Sequence, residues 1–171
     1  MPRQLSDSEL EAVNSFRLLA REFCQLIENQ EGHTRRHLIE NVLILLSKLL
    51  AIGIQLPDVQ PATSDIQFTE DEVQLHAKEF VDLSKVIGAK LGDLDTYWSV
   101  FDPTEQAESA PCSLSADLAE IYMDLKDSVA LLETSKEKMD VYWDWKFDFQ
   151  EHWARHAIEA FKVALFILPL A

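Results

Sequence analysis

Residues 34–53 read TRRHLIENVLILLSKLLAIG. Leu38, Val42, Leu45, Leu46, Leu49 and Leu50 recur at three- and four-residue steps, the interval that lines one face of an α-helix. Leu43 and Ile44 extend the apolar surface beyond that stripe, so the segment is expected to be the central helix. Gly53 stands at its end and Pro57 lies beyond, both stop signals. The predicted helix spans 34–52.

The same interval organises the rest of the chain. Before it, Leu10, Val13, Phe16, Leu19, Ala20, Phe23, Leu26 and Ile27 predict a helix over 7–29. Ser6 and Glu9 are spaced as a capping box, in which hydroxyl and carboxylate each satisfy an orphan amide. After it, residues 55–68 carry Pro57 and Pro61 and read as a loop. A third helix begins with the cap pair Thr69 and Glu72 and runs to Gly92 through Phe80, Leu83, Ile87 and Leu91. A short extra helical turn is expected around Tyr97, Trp98, Val100 and Phe101. Residues 102–115, with Pro103 and Pro111, form a second loop. A fourth helix follows over 116–133. Thr134 and Glu137 cap a fifth, which reaches 168, where Pro169 prevents extension.

Composition agrees. Only four of 171 residues are glycine, too few for the many tight turns of a sheet protein. The fold class is therefore all-α, an antiparallel bundle of about five main helices in a single domain spanning 1–171. A chain this long buries roughly 70% of its unfolded surface, enough for one self-sufficient core.

The formal net charge is −15. Nucleic acid and anionic lipid are polyanions, so neither is an expected partner; a protein with a basic surface is. The sequence leaves the oligomeric state open. Cys24 and Cys112 are too few and too far apart for a zinc motif or a disulfide framework, which points to a reducing, cytoplasmic setting. No signal core opens the chain, and the apolar run 163–171 is too short to span a bilayer. No glycine-rich phosphate loop or other cofactor motif is present, so no cofactor is expected.

Three constellations could carry chemistry. Asp117, Glu120, Asp124 and Asp127 lie within about 80° of one face of the fourth helix. They suit a basic partner or, with Asp144 and Asp148 of the fifth helix, a hard divalent metal in a hydrolase. The plainer alternative is a solvated acidic face. His152 and His156 lie one turn apart and could share a metal, with Asp148 as third ligand or orienting group. An exposed face with Glu151–Arg155 pairing is the alternative there. Lastly, Tyr142, Trp143, Trp145, Phe147, Phe149 and Trp153 crowd twelve positions and surround most of the helix. Trp143 and Trp145 are candidate partner-binding residues, or with Tyr97 a ligand pocket; a helix enclosed by core neighbours is the other reading. Cys112 has no adjacent base in sequence and reads as a non-catalytic thiol, and Glu72 with His76 as a helix-surface pair.

Three stretches together resemble a known family: DTYWSVFD at 95–102, SADLAEIYMDLKD at 115–127 and WDWKFDFQEHW at 143–153. In that order they are similar to DUF5063, a bacterial all-helical family of unknown function. The resemblance implies a helical fold and carries no activity with it. The expected function is a non-catalytic protein-binding module, with a metal-dependent hydrolase and a small-ligand-binding bundle as alternatives.

Overall fold

The structure, a computed structural model, describes residues 4–61, 70–100, 104, 106–134 and 138–171. Helix α1 spans Asp7–Glu28, α2 Arg35–Gln55, α3 Glu70–Leu91, α4 Leu114–Thr134, α5 Lys138–Asp148 and α6 Ala154–Ile167. Strands β1 (Thr96–Ser99) and β2 (Ala110–Ser113) lie between α3 and α4. A π-turn, Phe149–Trp153, joins α5 to α6, so these two make one helical rod and the described residues form five rods.

The predicted cap at Ser6 forms. The Ser6 amide donates to Glu9 Oε2 at 2.8 Å, and the Glu9 amide donates to Ser6 Oγ at 3.3 Å. Thr34 Oγ1 caps α2 by accepting from the His37 amide. Of the other two cap pairs, Thr69 and Glu137 lie outside the described residues.

Helices α1, α2, α6 and α4 close a ring, each packed on the next, and α3 docks against α4 from outside. Cross-helix contacts give the directions. Glu28 meets Tyr122 while Arg21 meets Glu133. Gly53 meets Phe149 while Arg36 meets the Leu168 carbonyl. His76 meets Asp127, whereas Gly88, later in α3, meets Ser115 near the start of α4. In each pair residue numbers rise on one helix as they fall on the other, so neighbours run antiparallel.

The central helix is α4, not α2. Leu118, Ala119, Ile121, Tyr122, Met123 and Leu125 of α4 are buried around its circumference, against α1, α3, α5 and α6. The stripe of α2 (Leu38, Val42, Leu45, Leu46 and Leu49) is buried as expected, but its extra apolar residue Ile44 is exposed. By length and composition α2 is also apolar enough to cross a bilayer; in the fold its stripe packs on α1 and α6.

Two expectations are corrected. Residues 96–99 are a strand, not a helical turn, paired antiparallel with 110–113 in the register Tyr97↔Cys112 and Trp98↔Pro111. Thr, Tyr and Trp favour extended backbone once a partner strand is available, and the end of the supposed loop supplies one. Asp95 holds the junction: its backbone carbonyl accepts from the Leu114 amide, and its carboxylate from the Ser115 amide and the hydroxyls of Ser113 and Ser115. Helix α4 therefore starts at Leu114, two residues earlier than expected. The second correction is the π-turn. Trp145, Phe149 and Trp153 all point inward, yet a four-residue step in an α-helix advances about 40° beyond a full turn. The wider π-turn absorbs that drift and keeps all three rings in the core.

Candidate functional site

The antiparallel seam between α4 and the α5–α6 rod brings two sequence candidates together. The His156 Nδ1 donates to Asp117 Oδ1 at 2.8 Å, and His152 Nδ1 to Asp124 Oδ2 at 2.6 Å. Tyr97, reaching from β1, donates its hydroxyl to Asp117 Oδ2 at 2.6 Å. The two imidazoles are 5.2 Å apart, edge to face. Beside them Glu159 accepts from Ser99 Oγ and Lys162 Nζ.

The acidic stripe of α4 is thus divided among neighbours. Asp117 and Asp124 turn to the histidines, with side chains 11% and 18% exposed. Asp127 pairs with His76 of α3, and adjacent Lys126 pairs with Glu79. Glu120 alone of the four makes no hydrogen bond or ion pair among the described residues. Across the seam, Asp144 and Asp148 of α5 lie close enough to Asp124 for the charges to act on one another. No three His, Cys, Asp or Glu side chains already converge as a metal site among the described residues.

Electrostatics follow from crowding. Burial, then the charges of Asp144 and Asp124, push Asp148 up to about 7. Asp124 is raised because burial outweighs the help of His152. Asp144 is raised by burial and by Asp124. The hydrogen bond to Asp117 raises His156 despite partial burial. Burial and the bond to Asp117 raise Tyr97, which stays a phenol donor. Cys24 is pushed up to about 12, chiefly by burial, the behaviour of an inert core thiol. Such a seam can hold two imidazoles in one tautomer, exchange protons near neutral pH, and attract a cation.

The aromatic candidates separate. Trp145 is fully buried against Phe16 and donates its indole N–H to the Ser128 carbonyl at 3.0 Å; it is a core residue. Trp143 is half-buried and stacks on Phe147. Tyr97 is not gathered with them. It lines a shallow groove of about 250 Å³ with Trp98, Lys162, Val163, Phe166 and Ile167. Trp98 and Phe166 are 66% and 83% exposed. No pattern around Phe166 singles it out, although the strand alternation that turns Tyr97 inward turns Trp98 outward.

An all-helical bundle with a histidine–carboxylate seam is the class of protein these features define. The chain belongs to the DUF5063 family, a domain of unknown function, whose model matches residues 8–168. A crystal structure of protein BF1032 from Bacteroides fragilis has a similar fold, with a TM-score of 0.72 and 21% identity over 91% of each chain. None of the curated proteins matches the chain.

Proposed function

We propose that the protein is a non-catalytic, cytoplasmic protein-binding module whose docking surface is the groove between β1 and α6. The observation that carries this is the exposure of Trp98 and Phe166 in a groove that Val163 and Ile167 also line. Large aromatic rings left uncovered beside an apolar floor mark interaction sites. The partner is a segment with apolar anchors and basic flanks, because the chain carries a net charge of −15 and would attract such a segment from a distance. Two free cysteines fit a reducing compartment. The hydrolase alternative has less support, since both oxygens of Asp117 and one of Asp124 are engaged by Tyr97, His156 and His152.

The test compares the immobilised chain with a Trp98→Ala, Phe166→Ala double variant whose circular dichroism is unchanged. A protein retained from bacterial lysate by the first, lost by the second and released by salt is the expected result. Identical recovery on both would refute the assignment.

A further inference from the structure

We infer that His152, His156 and Glu120 bind one divalent transition-metal ion of the zinc class, with Asp124 and Asp117 as the orienting carboxylates. The site adjoins the β1–α6 groove through Tyr97 but does not rest on the groove's role in docking.

The geometry of the imidazoles carries the inference. Each uses Nδ1 to bond a carboxylate of α4. A neutral imidazole that donates from Nδ1 keeps its lone pair on Nε2, the atom a metal needs. Metal-binding histidines are almost always fixed in this way, by a carboxylate or carbonyl on the other nitrogen. The rings belong to successive turns, and both side chains are partly open to solvent, at 48% and 33%. His152 also sits in the π-turn, a helical irregularity found often at functional sites.

Glu120 supplies the third donor. Asp117 and Asp124 are seven residues apart and face the same direction; Glu120 falls between them along α4, about 60° round the helix. Its charge acts on both His156 and Asp124, so it lies near the seam. Closing the ligand set requires its carboxylate to turn toward the rings, because the three side chains do not converge in the unliganded chain. Two imidazoles and one carboxylate, with a position left for water, is a ligand set that zinc and its neighbours accept. The crowded carboxylates of Asp124, Asp144 and Asp148 add an electrostatic field favourable to a cation.

The chain contains an internal comparison. His33 and His37 are also one turn apart, with ring centroids 4.5 Å from each other. Yet His37 Nε2 is taken by the Asn41 amide, and no carboxylate orients either ring among the described residues. This pair is not expected to bind.

The full chain, stripped with a chelator, is titrated with Zn²⁺ by calorimetry and with Co²⁺ by visible absorption. One equivalent is expected, with a cobalt spectrum of nitrogen and oxygen ligands. His152→Gln or His156→Gln should weaken binding at least about tenfold, as should Asp124→Asn, which removes only an orienting group. Glu120→Gln, a change at a partly exposed position, should weaken binding while leaving the fold intact. A His33→Gln, His37→Gln double variant should bind as the parent does. Absence of binding by the parent, a thiolate charge-transfer band, loss of binding in the His33/His37 variant, or full affinity in the His152 and His156 variants would each overturn the site.

Discussion

Replacing Asp148 by Asn should make the protein more stable, and only above a definable pH. The carboxylate has an ordinary value of 3.8 and is pushed to about 7 in the fold by burial and by Asp144 and Asp124. Between these values the folded chain holds a proton that the unfolded chain has lost, so stability falls as pH rises from about 4 to about 7 and then levels. At roughly 1.4 kcal/mol per pH unit the gap corresponds to about 4 kcal/mol. Water still reaches this helix face, and halving the figure for that screening leaves about 2 kcal/mol. Asn has the same shape and no charge, so the variant should gain about 2 kcal/mol at pH 8. For a chain of this length that is a rise in melting temperature of about 4–8 °C. The gain should shrink to under about 1 kcal/mol at pH 5. Thermal melts of both proteins at pH 5 and pH 8, in chelator, read this directly. A variant no more stable than the parent at pH 8, or one with equal gains at both pH values, would refute the account of a crowded, unrelieved carboxylate.

Other outcomes follow from the same structure. The parent itself should melt higher near pH 5.5 than at pH 8, because Asp124 and Asp144 share the sign of Asp148. The stabilising charge on His156, whose value is raised in the fold, is likewise present below about 6.5 and lost as pH rises; a flat profile would contradict this. Gly53→Ala would place a Cβ 2.4 Å from the Phe149 ring, and urea denaturation should show a loss of about 1–3 kcal/mol from overpacking, despite the better helix former. Asp95→Ala removes three acceptor contacts at the start of α4 and should cost about 1–2 kcal/mol, measurable in the same denaturation experiment.

The five rods were legible in the sequence because helical periodicity and burial coincide: Phe16, Phe23, Leu38, Leu46, Leu49 and Leu125 are all fully or nearly fully buried. A repeat interval depends only on local geometry, so the residues themselves declare it. The acidic stripe of α4 was visible for the same reason. Its orientation was not, since a row of carboxylates reads alike whether it faces water or a neighbouring helix.

Tertiary structure alone decided the rest. Asp117 and His156 are 39 positions apart, and nothing near either residue specifies the other; antiparallel packing of α4 on α6 joins them. The strand at 96–99 exists because 110–113 returns beside it, and a four-residue stretch carries no record of its partner. Trp145 and Trp98 are one residue type with opposite fates, one sealed against Phe16 and one left open beside Phe166. Side-chain chemistry sets what each ring prefers, but which surface remains uncovered depends on how all five rods share a limited interior.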